Sequence, residues 1–596
     1  MYQEFTVVTS PETGAARLAK LRKALRNADV SGFLIPRADA HQGENVAPCF
    51  ERLAWLTGFT GSAGMCAALL DTAGVFADGR YTLQVRTQID LAAFTPVPSR
   101  EISLENWLRT NLPDGGVIAY DAWLHSYDEI KKLTKELSDD GITFQKTANL
   151  VDQIWEDQPA PPKGLIASYP IEFTGETSES KRKRLAAQLQ KHALSATVLT
   201  LLDSIAWLLN IRGSDIKNIP VALCFAVLHD DGQVDIFADP DKCDDALLAH
   251  FGKGVQLYPE AEFLPYLAKL QGQVGVDREC APVMISDQLQ HPTWFADPCV
   301  LPKACKNPTE IAGSRAAHIR DGAAMVEFLC WLETAAKTQG LTEIDVAKKL
   351  EMFRRSTNAL REISFDTICG SGPNGAIVHY RVNEATNRAV QQNEVLLIDS
   401  GGQYLDGTTD ITRTVAIGDI DAEIKRANTL VLKGMIAITK ARWPQKIRGG
   451  DLDAFARNAL WQAGFDYDHG TGHGVGVFLG VHEGPQAISP KNTTELRSGM
   501  IISNEPGHYK EGVYGIRIEN LLVIHEANIP DGGDRAMLGF ETLTFVPIDR
   551  NLILPDMLDR AELEWLNAYH GEVLAKLKGL VSDTARPWLE KACAVL

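Results

Sequence analysis

The chain has 596 residues, of which 45% are hydrophobic and 23% are charged, and this balance excludes a disordered chain, a collagen and a coiled-coil rod. Its formal net charge is -18, with 28 basic against 39 acidic residues in 1–305 and 31 against 38 in 306–596. Because the acidity is spread along the chain and no dense Lys/Arg run offers a basic face, the composition argues against a nucleic-acid partner.

The first residues and the cysteines indicate the compartment. Residues 1–10 carry Glu4 and no Lys or Arg, so they lack the charged and apolar regions of a signal peptide. No uncharged apolar run reaches the roughly 18 residues that a membrane span requires. The ten cysteines form no CxxC pair and are too sparse for a disulfide framework. These features predict a cytoplasmic protein that does not insert into a membrane.

Two proline-containing breaks divide the chain, whose length suggests about three or four domains. Pro159, Pro161 and Pro162 make a stiff, extended linker. The second break precedes residues 307–310 (NPTE), which have the sequence of a helix start. The predicted domains are therefore 1–158, 159–305 and 306–596.

The first two segments resemble two copies of one unit. Residues 54–56 (AWL) and 61–62 (GS) recur as 206–208 and 213–214, both at an offset of 152 residues. Each copy also places a basic amphipathic stretch before an apolar, strand-like run. Self-similarity at this length predicts a duplicated α/β domain.

The third segment begins with two helical patterns, at 311–338 and 344–354. Strands and glycine turns follow from 365 to 546, interrupted by an amphipathic helix pattern at 422–439, and residues 557–596 are helical again. This order predicts an α+β domain with sheets in the middle and helices around them.

Two aspartates carry the first chemical signal. Asp399 follows the buried-strand run 395–398, and Asp410 lies on the return strand predicted at 408–415 after the hairpin signal Asp406-Gly407. The hairpin can bring the two carboxylates together in the core. They repel each other unless a cation lies between them.

Histidines and further acids follow. His469 and His473 lie in the glycine-rich segment 468–476, where each glycine costs a helix about 0.8–1 kcal/mol, so we expect a loop or strand rather than a zinc-binding helix. His379 and His482 lie in neighbouring motifs, and four histidines around an acid cluster favour a functional role over core packing. The remaining candidates, from two strand-like stretches, are Glu505, Arg517 and Glu519.

Alternation places Arg517 and Glu519 on one face of a strand. An exposed ion pair on an edge strand is the alternative interpretation of that pair.

The acids and histidines together resemble the ligand set of the pita-bread metallopeptidases, and the wider motifs are similar to those of the aminopeptidase P family (family M24B), in its three-domain cytosolic form. The motifs that carry this resemblance are 372–380 (GPNGAIVHY), 397–401 (LIDSG), 406–410 (DGTTD), 469–476 (HGTGHGVG) and 481–485 (VHEGP). The resemblance implies two tandem creatinase-type α/β domains followed by a pita-bread catalytic domain with a helical C-terminal extension. It also implies hydrolysis of the bond between an N-terminal residue and a following proline.

The resemblance implies a dinuclear metal centre. By that resemblance Asp410 and Glu519 bridge two metal ions, Asp399 holds one, and His473 and Glu505 hold the other. Four carboxylates balance two divalent cations, and the oxygen-rich set suits Mn²⁺, although Zn²⁺ or Co²⁺ would also bind.

The remaining roles follow as hypotheses. A hydroxide activated by the two metals would attack the peptide carbonyl, with Glu505 as general base and His482 stabilising the oxyanion. The supporting residues would be His379 and His469, which line the site; Arg517, which fixes Glu519; and Glu44, which by the resemblance reaches the site from the first domain and helps to set substrate length. A solvated loop acid is the alternative interpretation of Glu44.

The resemblance implies peptide substrates with an N-terminal Xaa-Pro and a homodimer formed through the last domain. A prolidase-type dipeptidase has the same metal site, but the tandem N-terminal domains argue against it. A creatinase-like hydrolase or a non-catalytic peptide-binding relative would lack metal ligands, and here all five are present.

Overall fold

The computed structural model describes all 596 residues and divides into two compact units. One unit is Val8–Val300, and the other combines Met1–Val7 with Leu301–Leu596. The sequence did not indicate that the first seven residues belong with the last half of the chain. The domain boundaries predicted at 158 and 305 stay predictions.

The Val8–Val300 unit contains two six-stranded sheets, and the first is built from the elements of residues 14–146. Its strand order is β4-β3-β2-β1-β5-β6, with β1 antiparallel to β2 and parallel to β5. The elements are α1 (Gly14–Asn27), β1 (Gly32–Pro36), α2 (Arg52–Thr57), β2 (Met65–Leu69), β3 (Ala73–Ala77), α3 (Thr82–Gln88), β4 (Thr95–Pro98), α4 (Leu104–Asn111), β5 (Gly116–Tyr120), α5 (Tyr127–Leu137) and β6 (Ile142–Lys146).

The second sheet repeats this topology with the order β12-β11-β10-β8-β13-β14. Its central strand β8 is again antiparallel to one neighbour, β10, and parallel to the other, β13. The elements are β7 (Ala167–Ser168), α6 (Ile171–Thr174), α7 (Ser178–Lys191), β8 (Ala196–Leu199), α8 (Leu202–Leu209), β9 (Ile211–Arg212), β10 (Phe225–His229), β11 (Val234–Ala238), α9 (Asp245–Phe251), β12 (Val255–Pro259), α10 (Phe263–Leu267), β13 (Val274–Val276), α11 (Val283–Gln288) and β14 (Pro292–Trp294). The identical order agrees with the predicted duplication.

The C-terminal unit surrounds small antiparallel sheets with long helices. Its elements are α12 (Val300–Ala304), α13 (Pro308–Thr338), α14 (Glu343–Ser356), β15 (Glu362–Ile363), β16 (Ile368–Ser371), β17 (Glu394–Ser400), β18 (Gly402–Tyr404), β19 (Gly407–Thr408), β20 (Ile411–Ile417), α15 (Ala422–Thr439), β21 (Arg442–Pro444), α16 (Gly449–Trp461), β22 (Gly472–His473), β23 (Ala487–Ile488), β24 (Ile501–Asn504), β25 (Gly507–Lys510), β26 (Tyr514–Arg517), β27 (Asn520–Ala527), β28 (Met537–Thr542), α17 (Arg560–Leu577) and α18 (Ala585–Ala592). None of the helices combines the length and hydropathy needed to cross a membrane.

Local chemistry explains where the longest helix begins. Asn307 caps α13 by accepting from the N–H groups of Thr309 and Glu310, and the Glu310 side chain accepts from the Asn307 N–H in return. Pro308 at the first helical position loses no hydrogen bond, because that N–H has no partner within a helix. The helix then buries Met325, Phe328 and Leu332 in the core.

Two small sheets position Asp399 and Asp410. β17 is the central strand of the sheet β16-β17-β20, and its register places Asp399 opposite Thr412. The return strand predicted at 408–415 is split, since β19 pairs with β18 while β20 pairs with β17. Asp410 lies at the break between β19 and β20. Local alternation could not reveal this break, because it depends on which partner each half of the hairpin takes.

The first seven residues dock onto the C-terminal unit. The Glu351 carboxylate accepts from the backbone N–H groups of Tyr2 and Gln3, at 2.8 Å and 3.1 Å. The buried Gln3 side chain exchanges two hydrogen bonds with the Thr367 backbone. Phe5 belongs to the same hydrophobic cluster as Leu350. The segment is therefore a fixed part of this unit.

Candidate active site

The two aspartates of the hairpin lie side by side in the core. Asp399 occupies the end of β17 and is 7% exposed, while Asp410 precedes β20 and is 4% exposed. The Oδ1 atoms of both residues are buried and accept no hydrogen bond. Buried carboxylate oxygens without a donor are costly, which indicates a position for a cation.

His473 joins the acids from the glycine-rich segment. It lies on the short strand β22, which confirms that this segment is not a helix. A Cβ at Gly472 would overlap the carbonyl oxygen of Ser503, so only glycine allows β22 to approach β24 this closely. His473 Nδ1 donates to the Gly474 carbonyl at 2.9 Å. Its Nε2 is thereby directed at Asp410 Oδ2, 3.5 Å away, and at Glu505 Oε1, 3.3 Å away.

Glu505 and Glu519 complete the cluster. Ser503 Oγ donates to Glu505 Oε1 at 3.0 Å and accepts from the His473 N–H, so one hydroxyl orients both residues. Glu519 is 1% exposed, accepts from Thr412 Oγ1 at 2.7 Å and has a second oxygen without a donor. Possible ligand atoms of Asp410, His473 and Glu519 all lie within 4.8 Å of one another.

The electrostatics favour a divalent cation at this point. Burial raises the pKa of Asp410 to about 7. Burial and the charge of Asp410 raise the pKa of Glu519 well above its usual value, and burial also raises the pKa of Glu505. Burial lowers the pKa of His473, but the hydrogen bond to Asp410 and the charge of Glu505 outweigh it and raise the value to about 9. Four crowded carboxyl groups and one histidine nitrogen are donors that fit two divalent ions.

Arg517 contacts Asp399 directly and reaches Glu519 only through Thr412, and its predicted role in fixing Glu519 stays a prediction. Its Nη2 donates to Asp399 Oδ2 at 2.6 Å, and its Nε donates to Thr412 Oγ1 at 3.1 Å. It does not pair with Glu519, because β26 ends at Arg517 and the strand alternation does not continue to residue 519. The Thr412 hydroxyl is the link between Arg517 and Glu519.

Tyr509 is a residue that the sequence analysis missed. Its hydroxyl accepts from Arg517 Nη1 at 2.6 Å and meets His469 Nε2 at 2.9 Å. His469 Nδ1 donates to the Gly470 carbonyl, so its Nε2 is the acceptor for Tyr509. A continuous chain of hydrogen bonds therefore runs from Asp399 to His469. No motif singled out Tyr509, since its two partners lie 8 and 40 residues away in sequence.

The other predicted site residues lie in three places. His482 is exposed, with its ring 4.3 Å from that of His473 in an edge-to-face arrangement. His379 is half-buried and follows Val378, whose carbonyl accepts from Arg517 at 3.4 Å. Glu44 lies in the Val8–Val300 unit, where its carboxylate accepts from Ser62 Oγ at 2.8 Å. Its contribution to substrate binding stays a prediction.

Family models cover nearly the whole chain. Residues 312–526 match Metallopeptidase family M24, and residues 536–596 match the C-terminal region of peptidase_M24. Residues 17–154 and 157–310 each match the Creatinase/Prolidase N-terminal domain. The predicted architecture of two creatinase-type domains before a pita-bread domain is thereby confirmed.

Full-length relatives narrow the assignment. A probable Xaa-Pro aminopeptidase P from Laccaria bicolor is 40% identical, over 97% of this chain and 93% of that one. Aminopeptidase P2 from Arabidopsis thaliana is 38% identical, over 94% and 85%. The crystal structure of X-prolyl aminopeptidase from Caenorhabditis elegans, described as a cytosolic enzyme with a di-nuclear active site, superposes with a TM-score of 0.94 at 35% identity, covering 98% of this chain and 100% of that one.

The fold and the buried acid cluster define a metallopeptidase of the pita-bread class. Full-length similarity then fixes its place within that class: the chain belongs to metallopeptidase family M24, in the aminopeptidase P group.

Proposed function

We propose that this chain is a metalloaminopeptidase that removes the N-terminal residue from peptides with proline in the second position. The observation that carries the proposal is the convergence of four carboxyl groups and His473 in one place, with three buried carboxylate oxygens that accept no hydrogen bond. The full-length similarity to proteins named aminopeptidase P supports the substrate class.

Two divalent ions would be held by the five clustered side chains, with Asp410 and Glu519 shared between them. The oxygen-rich set supports Mn²⁺ as the metal. Such ions, when bound, supply a nucleophile at neutral pH and polarise the carbonyl of the scissile bond. The five residues are Asp399, Asp410, His473, Glu505 and Glu519.

The chain's own residues handle the proton and the substrate. Glu505 Oε1, oriented by Ser503, would accept the proton of the attacking water as general base. His482, exposed beside His473, would donate to the oxygen that becomes negative. Arg517 would hold the Asp399 carboxylate in its orientation.

The proline requirement has a chemical basis. The scissile Xaa-Pro bond is a tertiary amide without an N–H, so its site needs no acceptor at that position. His379 and His469 would line the side that receives the residue after the bond. The proposal also includes a cytoplasmic location and a homodimer formed through the last domain.

One experiment tests the activity and separates it from its nearest rival. Metal-stripped protein should regain hydrolysis of Ala-Pro-Ala when Mn²⁺ is added, and should prefer this tripeptide to Ala-Pro. Failure to regain activity with any divalent metal would contradict the metallohydrolase. A clear preference for the dipeptide would favour a prolidase-type enzyme instead.

A further inference from the structure

Arg413 is a buried cation whose hydrogen bonds involve no carboxylate. It lies on β20 three residues after Asp410, and its side chain is 1% exposed. All of its acceptors are neutral oxygens: Thr412 O, Glu519 O, Val546 O, Pro547 O, Asn520 Oδ1 and Tyr569 Oη. A buried charge without a counter-ion is costly, so this arrangement calls for an explanation beyond packing.

The guanidinium joins the two segments that carry the bridging acids. Its Nη1 lies 2.6 Å from the carbonyl oxygen of Glu519 and 2.8 Å from that of Thr412. Thr412 accepts from the Glu519 N–H at 3.1 Å and donates its hydroxyl to the Glu519 carboxylate. Arg413 therefore fixes the backbone from which the Glu519 side chain projects into the cluster.

A hydrogen bond from Arg413 to helix α17, in the helical C-terminal extension (residues 557–596), sets the orientation of the Arg413 side chain. Its Nη2 donates to Tyr569 Oη, 3.0 Å away on α17. That hydroxyl donates to the Val546 carbonyl at 2.8 Å and accepts from the Val546 N–H at 3.2 Å. The Tyr569 ring is stacked on Trp565 at 5.3 Å between centroids, with the two planes 5° apart. Each of these contacts restricts where the hydroxyl can lie.

We propose that Arg413 is a positioning residue for Glu519 and that the C-terminal extension controls it through Tyr569. The inference rests on the metal site proposed above, because its effect is on a metal ligand. It gives α17 a role in metal affinity as well as in the hydrophobic core. Groups that orient metal ligands typically change metal affinity by about 10–100-fold when they are removed.

The test is Mn²⁺ binding to the metal-stripped, full-length protein by titration calorimetry. Tyr569→Phe removes only the hydroxyl and should weaken Mn²⁺ binding by about tenfold or more. Tyr514→Phe is the control, because its buried hydroxyl has no hydrogen-bond partner and its loss should leave Mn²⁺ affinity unchanged. Arg413→Lys keeps the positive charge but cannot reach both carbonyls, and should weaken binding at least as far.

Thermal unfolding of the metal-free variants completes the test. If Tyr569→Phe lowers Tm but binds Mn²⁺ like wild type, Tyr569 is a stability residue and the inference is wrong. The inference is also wrong if neither Tm nor Mn²⁺ affinity changes. If wild-type protein binds no divalent metal in the same titration, with Zn²⁺ and Co²⁺ tried after Mn²⁺, the proposed function falls together with the inference, and that outcome is distinct from the first two.

Discussion

At the scale of single residues, Asp410 is central because its carboxylate faces both His473 and Glu519. We expect Asp410→Ala to abolish metal binding and turnover while the Val8–Val300 unit stays folded. Metal content by elemental analysis and hydrolysis of an Xaa-Pro-Yaa peptide would measure this. Asp406→Asn is the control, since Asp406 lies on the same hairpin but pairs with Arg320, and it should keep its metal. An active Asp410→Ala enzyme would refute the bridging role.

Tyr509 permits a second prediction at this scale. Tyr509→Phe removes the hydroxyl that joins Arg517 to His469, so His469 loses its orientation while the metal ligands remain. We expect kcat to fall by about 10–100-fold with nearly unchanged metal content. Steady-state kinetics and elemental analysis separate the two effects. Wild-type kcat in this variant would show that the chain of hydrogen bonds has no catalytic role.

At the scale of secondary structure elements, strand β22 depends on the absence of a side chain at Gly472. Gly472→Ala should push β22 away from β24 and displace His473, so we expect loss of Mn²⁺ binding in a folded protein. Gly571→Ala is the control, because a Cβ there meets no atom within 4 Å and should stabilise helix α17 by about 0.5–1 kcal/mol. Calorimetric titration with Mn²⁺ measures binding by both variants. Normal Mn²⁺ binding by Gly472→Ala would contradict the requirement for a close approach of β22 to β24.

Some secondary structure elements could be predicted from the sequence and others could not. Helix α15 is found at the predicted residues 422–439, because its apolar spacing is a local property. The glycines around His473 likewise allowed a helix to be excluded, because the low helix propensity of glycine is also a local property. The Arg517 partner could not be predicted this way, since Asp399 lies 118 residues away. Likewise, the break beside Asp410 depends on strand pairing, which alternation does not encode.

At the scale of the whole molecule, stability should fall as the pH falls, partly through His570. Burial, with the charges of Arg413 and Arg550, lowers the pKa of His570 from 6.5 to about 4. Its stabilising contribution is therefore complete above pH 6.5 and is lost as the pH falls towards 4, because the unfolded chain binds the proton first. With these two pKa values, the protonation of His570 lowers the free energy of unfolding by about 2 kcal/mol at pH 5.

His570→Gln tests this contribution, since glutamine can still accept from the Ile548 N–H that His570 Nε2 binds at 3.2 Å. Between pH 7.5 and pH 5 the free energy of unfolding should fall in both proteins. We expect the fall to be about 2 kcal/mol smaller in the variant than in wild type. Denaturant unfolding of the metal-free proteins, followed for the transition of the C-terminal unit, gives the comparison. Parallel pH curves for the two proteins would exclude a role for His570.

The docked segment Met1–Val7 also has a consequence for biosynthesis. Gln3 leaves the ribosome 348 residues before its partner Glu351, which corresponds to a delay of the order of half a minute at usual elongation rates. During that interval Phe5 lacks the partners of its hydrophobic cluster, which include Leu350. The native contacts of the C-terminal unit therefore cannot all form in order of synthesis, because Gln3 and Phe5 are made long before the residues that they contact.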